Sequence, residues 1–200
     1  MKIPMQWIEA YASIPVSPEV YQSKMIMSGT GVEGIEQPGA EISLVVVGRV
    51  LSMAHHTNSD HLWVCQVDVG AEKPLQIVTG AQNVREGSYV PVAMHGAHLP
   101  GGTVIKRGKL RGEVSDGMLC GGSELGVPDS LYPGAGVDGI LLFHEAHPLG
   151  SDVKPILGLD DTIIDFEILA NRPDCLSVWG IARESAVALG TSFHKPDITV

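Results

Sequence analysis

The 200-residue sequence has few aromatic and few basic side chains. Aromatic residues make up 5%, and 13 Lys and Arg stand against 23 Asp and Glu, for a formal net charge of −10. This excess of acid argues against a freestanding, high-affinity nucleic-acid binder, which usually carries a basic domain, and no DNA partner is expected. It also argues against attachment to anionic membranes, since these attract clustered Lys and Arg.

The sequence also lacks paired cysteines and long apolar runs. Its three cysteines, Cys65, Cys120 and Cys175, are far apart and odd in number. A zinc ribbon or a disulfide framework is therefore not expected, and a reducing compartment fits better. No window approaches the length of a membrane helix, and the first residues lack the apolar core of a signal peptide. We therefore expect a cytoplasmic protein without membrane contact.

Motifs of catalytic sites are missing as well. There is neither a phosphate-binding G-x-x-x-x-G-K-[ST] sequence nor a G-x-S-x-G nucleophile motif. Gly134, Gly136 and Gly139 match G-x-G-x-x-G, but they precede an apolar strand pattern and predict a turn. Cys65 and Cys120 have no neighbour that would lower a thiol pKa, so we interpret both as packing residues. No catalytic residue is expected in this chain.

The elements that are present change in type along the chain. Ser17 and Pro18 predict the start of a helix that Gly29 ends. From Ile42 onward, short alternating segments separated by glycine-rich turns predict five or more strands, and Gly48 is placed for a bulge or a tight bend. Many short strands favour a small closed barrel, because closure removes exposed sheet edges.

The last part of the sequence returns to a mixed pattern. DDTIIDFEIL predicts a strand, NRPD a turn, SVWGIARESAVALG a helix that ends at Gly190, and Asp197–Val200 a final strand. The flanking segments are each too small for a core of their own. The predicted fold class is α+β: a split α/β domain from residues 1–39 and 152–200, with a barrel of residues 40–151 inserted into it.

Two sets of motifs carry a family resemblance. The segments VGRVLSMAHHTNSDHLWVCQVDVG, IVTGAQNV, GAHLPGG and KLRGEVSDGMLCGGSELG resemble the EMAP-II type of tRNA-binding domain, an OB-fold barrel appended to several aminoacyl-tRNA synthetases. The segments MKIPMQWIEAY, GVEGIE and DFEILANRPDCLSVWGIARE resemble the amino-terminal part of bacterial phenylalanine–tRNA ligase β subunits.

The resemblance implies a non-catalytic module of a larger enzyme. Those β subunits are several times longer, so the chain is expected to be a fragment. The synthetase active site would lie on the α subunit and the editing site in later β-subunit domains. No cofactor is then expected in this fragment, and the ATP and Mg²⁺ of the whole enzyme would bind elsewhere. The implied partners are tRNA, bound weakly, the α subunit and the remaining β-subunit domains.

The candidate tRNA-binding residues form one basic cluster and one short motif. Clustered Lys and Arg neutralise phosphates, but the same pattern also fits a solvated strand and loop face. In the S-x-G-M motif of the family, a hydroxyl and a thioether would contact one unpaired nucleotide, although Met is equally typical of a core. The candidates are Lys106, Arg107, Lys109, Arg111, Ser115 and Met118.

Two further polar segments have competing interpretations. His55, His56, Asp60 and His61 suggest a metal site, but no other ligands complete a shell, so a polar loop is favoured. In the turn 171–174, Asp174 is placed to cap the following helix and Arg172 to bind a carboxylate. The alternative for Asn171, Arg172 and Asp174 is an interface with the α subunit or neighbouring β-subunit domains.

The charge of the predicted barrel leaves its function open between three hypotheses. Residues 40–151 carry 7 Lys and Arg against 11 Asp and Glu, a net charge of −4. The first hypothesis is auxiliary, weak tRNA binding that supports aminoacylation of tRNA(Phe), together with subunit organisation. The second is a structural or protein-interaction module without significant RNA binding. The third is a stand-alone tRNA-binding protein.

Overall fold

A computed structural model of the chain describes residues 1–128 and 139–196. The predicted strand Asp197–Val200, and Gly134 and Gly136 of the predicted turn, lie outside the described residues. In the described part of the chain, no helix is long and apolar enough to cross a membrane.

The described residues form eleven strands and four α-helices. The strands are β1 Lys2–Pro4, β2 Gly31–Glu36, β3 Ser43–His55, β4 Trp63–Asp68, β5 Leu75–Thr79, β6 Tyr89–Leu99, β7 Thr103–Val104, β8 Gly108–Leu110, β9 Glu113–Ser115, β10 Gly117–Leu119 and β11 Ile163–Glu167. The helices are α1 Met5–Glu9, α2 Pro18–Met27, α3 Lys154–Leu157 and α4 Val178–Leu189. The mixed helix and sheet content of the prediction is confirmed, and the paired strands are antiparallel.

The chain divides into two compact units. The terminal unit consists of Met1–Pro38 with Asp160–Val200, and the central unit consists of Gly39–Leu159.

The terminal unit has a three-stranded sheet in the order β1-β11-β2, with α1, α2 and α4 in contact with one another or with its strands. Tyr21 and Phe166 are buried in its core, where their rings meet edge to face at 6.4 Å. The Tyr21 hydroxyl lies 2.7 Å from Ser185 Oγ on α4, so the buried phenol keeps a hydrogen-bond partner. A core of this kind requires both terminal segments of the chain.

The sheet of the central unit runs in the order β10-β6-β3-β4-β5, and β7 pairs with β6. Its long strand β3 has two register shifts, one at Leu44 with φ 55° and one at Leu51. Gly48 lies between these irregularities: a Cβ there would be 2.5 Å from Val92 Cγ2 and 2.8 Å from Val67 Cγ1. The absence of a Cβ at Gly48 therefore lets the side chains of Val92 and Val67, on the two neighbouring strands, approach β3 closely.

The prediction of a closed barrel is wrong for the described residues, because no ladder joins the two end strands, β5 and β10. Hydrogen bonds instead join β5 to the end of β9 and to the residue that follows it. The Asp116 N–H donates to Gln76 O at 2.8 Å, and the Val78 N–H donates to Ser115 Oγ at 3.1 Å. The chain turns sharply between β9 and β10 at this point, so a side-chain oxygen accepts where a strand carbonyl would have accepted.

Candidate nucleic-acid interface

A cavity of about 600 Å³ opens on the central unit. Its walls combine apolar side chains, five glycines and a few polar side chains, among them one positive and one negative charge. The lining residues are Val78, Thr79, Gly80, Ala81, Val104, Ile105, Lys106, Gly108, Leu110, Ser115, Gly117, Met118, Leu119, Gly121, Ser123, Glu124, Gly139 and Ile140. An apolar pocket with a small number of polar groups is the usual form of a ligand site.

The basic cluster does not act as one surface, because alternate residues of the segment lie on different sides. Lys106, Gly108 and Leu110 line the cavity, as a period of two predicts for an extended segment. Arg107 is instead ion-paired, with its Nε 2.6 Å from Asp116 Oδ1. Lys109 lies on β8, is exposed and is not a lining residue.

Arg111 ends the same segment in a strained conformation. Its φ of 48° lies in the left-handed region, and Gly112 follows with φ 104°. The guanidinium donates to the Asn58 carbonyl at 3.4 Å, so this side chain is directed toward the loop after β3. Lys106 is thus the one predicted basic residue that lines the cavity within the described part of the chain.

Ser115 lines the cavity but its hydroxyl is already engaged. The side chain is 4% exposed; Oγ donates to the Gly117 carbonyl at 2.8 Å and accepts from the Val78 N–H. The predicted hydrogen bond to a nucleotide would have to share this oxygen. Ser115 therefore holds β5 against the turn between β9 and β10, which positions the neighbouring lining residues.

Met118 combines the two roles that the sequence left open. It is half-buried, packs against the core cluster that contains Leu141 and Phe143, and also lines the cavity. Because a thioether on a flexible side chain adapts to irregular apolar surfaces, Met118 gives this wall of the cavity an adaptable apolar surface.

Glu124 is a lining residue that the sequence did not indicate. It lies in the 3-10 turn Ser123–Leu125, where its Oε2 accepts from the Gly121 N–H at 2.6 Å. The only sequence signal was the segment SELG after the S-x-G-M motif. A single acid in a glycine-rich turn is too common to predict a binding residue.

The histidine segment forms a hydrogen-bonded loop. His56 is 4% exposed; its Nδ1 accepts from the Asn58 N–H at 3.0 Å and its Nε2 lies 3.1 Å from the Leu110 carbonyl. His55 stacks on Trp63 with ring centroids 3.8 Å apart. The described residues contain no group of three or more His, Cys, Asp or Glu placed to hold a metal ion. His56 thus links the loop after β3 to the end of β8.

In the terminal unit, the turn 171–174 leads into a network of paired charges. Arg172 donates to both carboxylate oxygens of Asp174, at 3.2 and 3.1 Å, and its Nη2 lies 2.9 Å from Glu184 Oε2. Arg183 Nη2 lies 2.6 Å from Asp174 Oδ2. Arg172 holds the pKa of Asp174 below its ordinary value, mainly through this side-chain hydrogen bond. Asn171 is exposed in the same turn.

Asp174 does not cap α4, contrary to the prediction. The cap is Ser177, whose Oγ accepts from the Gly180 N–H at 3.0 Å. The reason is that Pro173–Cys175 form a 3-10 turn of their own, which delays the start of the helix. Gly180 makes this possible, since a Cβ there would lie 1.8 Å from the Asp174 carbonyl oxygen.

The cysteines of the central unit are unsuited to nucleophilic chemistry. Burial raises the pKa of Cys65 to about 11 and that of Cys120 to about 12, so both thiols stay protonated at neutral pH. Both side chains are fully buried in the core, in agreement with the interpretation as packing residues.

Comparison with known proteins identifies the family of the central unit. Residues 45–152 match the family described as "Putative tRNA binding domain". The phenylalanine–tRNA ligase β subunit of Clostridium acetobutylicum is 46% identical over 198 residues, which are 99% of this chain and 24% of that protein. The β subunit of Trichormus variabilis is 50% identical over 198 residues, or 98% of this chain and 24% of that protein.

A solved structure, the C-terminal domain of Plasmodium vivax p43, is 25% identical and covers 42% of this chain and 48% of its own, with a TM-score of 0.33. That score is too low to support an argument about the fold. The chain spans about a quarter of the length of the β subunits that it matches. The resemblance stated from the motifs is confirmed: the chain belongs to the family of putative tRNA-binding domains and, over nearly its whole length, is similar to a part of the phenylalanine–tRNA ligase β subunit.

Proposed function

We propose that the chain is a non-catalytic, auxiliary tRNA-binding module of a cytoplasmic phenylalanine–tRNA ligase β subunit. In this proposal the central unit contacts tRNA(Phe) during aminoacylation, and the terminal unit contacts the α subunit or other β-subunit domains. The ATP and Mg²⁺ of the whole enzyme bind outside this chain. The family match and the names of the relatives support the proposal.

The observation that carries it is the cavity, which has the size and wall chemistry for one unpaired nucleotide. Proteins read single-stranded RNA by splaying bases out and packing them against apolar or aromatic side chains. Met118 and Ile140 supply apolar surface, and Lys106 supplies a positive charge for a phosphate. This combination lies within the segment that matches the tRNA-binding family.

The charge of the central unit limits the affinity of this contact. Asp116 already compensates Arg107, and the region 40–151 has a net charge of −4. We therefore expect weak binding by the isolated chain, with Kd on the order of 10⁻⁴ M at physiological salt. In the whole enzyme, other tRNA-binding surfaces would raise the effective concentration of the tRNA and make the weak contact useful.

We further propose that the central unit is an OB-fold type of domain with an open sheet, inserted into a single α/β domain built from both terminal segments. The two-part composition of the terminal unit supports this arrangement, as does the match of residues 45–152 to one family. Insertion into a domain is tolerated where the ends of the inserted domain lie close together. In the central unit, the Gly39 N–H donates to Leu159 O at 2.9 Å, so the two ends do meet.

A charge reversal at Lys106 tests the tRNA contact. NMR titration of the chain with tRNA(Phe) at low salt should show saturable shifts in residues that line the cavity. Lys106→Glu should weaken binding roughly tenfold, because it replaces a phosphate contact by repulsion. Lys73→Glu is the matched control, since Lys73 is exposed, lies in the central unit and does not line the cavity. Equal affinities of the two variants, or no saturable binding by the wild type, would refute the proposal.

A protein-interaction role is the second candidate, and exposed apolar residues of the terminal unit favour it. Leu169, Leu176 and Trp179 are 56%, 63% and 43% exposed. All three are close in sequence to the turn 171–174. Exposed apolar surface often marks interaction sites. A full-length β subunit carrying Leu176→Ser and Trp179→Ser should then assemble less well with the α subunit in size-exclusion chromatography. Assembly like that of the wild type would count against this role.

A further inference from the structure

We infer that the cavity of the central unit selects guanine, with the Glu124 carboxylate accepting hydrogen bonds from the Watson–Crick edge of an unpaired guanine base. The inference rests on the proposed function, since it specifies which nucleotide the same cavity takes.

The first argument is that Lys106 and Glu124 line one cavity without neutralising each other. Neither forms an ion pair with any described residue. In the terminal unit, by contrast, Arg172 and Asp174 pair directly. Two opposite charges that stay apart in one cavity match a ligand with a negative phosphate at one end and hydrogen-bond donors at the other. A nucleotide is such a ligand.

The second argument is that the Glu124 carboxylate has a fixed orientation. Its Oε2 accepts from the Gly121 N–H at 2.6 Å, and Gly121 and Gly139 are both lining residues. A Cβ on Gly121 would lie 2.9 Å from the Gly139 carbonyl oxygen, so the backbone segments that frame the carboxylate are close together. Because a carboxylate has about four lone-pair sites, the bond to Gly121 leaves acceptor capacity for a ligand.

The third argument is the donor and acceptor pattern of the bases. An ionised carboxylate only accepts hydrogen bonds, and it accepts best when two parallel donors face its two oxygens. Guanine presents two adjacent donors, N1–H and N2–H₂, on its Watson–Crick edge. Adenine, cytosine and uracil each place an acceptor beside their donor, so one carboxylate oxygen would face a lone pair. The carboxylate therefore favours guanine over the other three bases.

The test compares single-stranded RNA oligonucleotides that differ in one base: UUGUUU, UUAUUU and UUIUUU, where inosine retains N1–H but lacks the 2-amino group. Affinities are measured by NMR titration of the full chain, with the Gly121 amide as a local reporter. We expect wild type to bind UUGUUU about tenfold more tightly than UUAUUU, the size expected for one bidentate base contact. UUIUUU should lose most of this preference.

Two variants separate recognition by Glu124 from its general charge effect. Glu124→Gln should reduce the ratio of the UUGUUU and UUAUUU affinities to about twofold or less, since an amide presents one donor and one acceptor. Glu86→Gln removes the same charge from a residue that also accepts a backbone N–H, from Met53 at 3.0 Å, but does not line the cavity. It should retain the tenfold ratio.

Failure of this inference is distinguishable from failure of the proposed function. Equal binding of the three oligonucleotides by wild type, or a ratio unchanged in Glu124→Gln, would overturn guanine selection and leave RNA binding standing. Absence of binding to every oligonucleotide and to tRNA would overturn both.

Discussion

Lys106 in the central unit and Arg172 in the terminal unit are both basic residues in polar segments, but their charges are used differently. Arg172 contacts Asp174 and Glu184, and Arg183 also contacts Asp174, so this network compensates its own charges. Lys106 lines a cavity together with Glu124 and pairs with no described residue. The first arrangement pairs charges within one turn, whereas the second leaves two charges unpaired, and we propose that a ligand complements them.

The comparison shows why a polar motif does not by itself indicate a binding site. A charge contributes to recognition when its complement comes from a partner, and to folding when its complement is in the same chain. Both segments contain basic and acidic residues, and both are largely exposed. Their sequences alone therefore do not distinguish the two roles. The distinction depends on which acid folds back onto which base, and that is a property of the tertiary structure.

The largest expected effect concerns the close packing between α4 and the turn 171–174, which supports the network of paired charges in the terminal unit. Gly180→Ala would place a Cβ 1.8 Å from the Asp174 carbonyl, so we expect a loss of about 3 kcal/mol in the free energy of unfolding. Helix propensity alone predicts a gain of about 1 kcal/mol for the same change. Urea denaturation followed by tryptophan fluorescence measures the difference.

Gly34→Ala is the control for this prediction, since Gly34 has open space around its Cβ position. It should change the free energy of unfolding little. If Gly180→Ala were as stable as Gly34→Ala, the network would not depend on the contact between α4 and the turn.

The next effect concerns the scaffold of the cavity. Ser115→Ala leaves the Val78 N–H and the Gly117 carbonyl without the buried hydroxyl, which should cost about 2 kcal/mol of the free energy of unfolding. Ser52→Ala, on the exposed side of β3, should have almost no effect in the same urea titration. A Ser115→Ala protein with unchanged stability would show that Ser115 is available for a ligand after all.

A smaller effect is expected in the pH dependence of the terminal unit. Because Arg172 lowers the pKa of Asp174, folding gains stability above the ordinary aspartate pKa of about 3.9 and loses it as pH falls through the lowered value. The melting temperature of Asp174→Asn should therefore decline less steeply than that of wild type below about pH 4.

Asp160→Asn, at an exposed carboxylate that is not among the contacts of this network, is the control for the acid titration. If the melting temperatures of Asp174→Asn and wild type fell in the same way with acid, the pairing of Arg172 and Asp174 would contribute nothing to folding.

Local signals in the sequence predicted the start of α2 and the end of α4. Ser17 caps α2 with Pro18 as its first residue, and Gly190, with φ 68°, is the C-cap of α4. The alternation in β4 was also correct, since Cys65 and Val67 are fully buried. These features depend on residues that are neighbours along the chain, so composition and spacing are sufficient to find them.

Features that depend on distant residues were not predictable. The apolar run at 139–143 predicted a strand, but it forms only an isolated bridge between Phe143 and Tyr89. The prediction that the central sheet closes was wrong for a related reason. At that point the Val78 N–H donates to the Ser115 side chain and not to a paired strand. Glu124 lines the same cavity as Lys106 because of the 3-10 turn Ser123–Leu125, and no spacing rule connects residues that far apart in the sequence.

The most direct test of the central claim measures the stability and RNA affinity of Lys106→Glu and Arg172→Ala side by side. The account predicts that Lys106→Glu keeps the wild-type melting temperature and binds tRNA(Phe) about tenfold more weakly. It predicts that Arg172→Ala melts at a lower temperature and keeps the wild-type affinity. A loss of tRNA affinity in Arg172→Ala as large as in Lys106→Glu, with both melting temperatures unchanged, would contradict it.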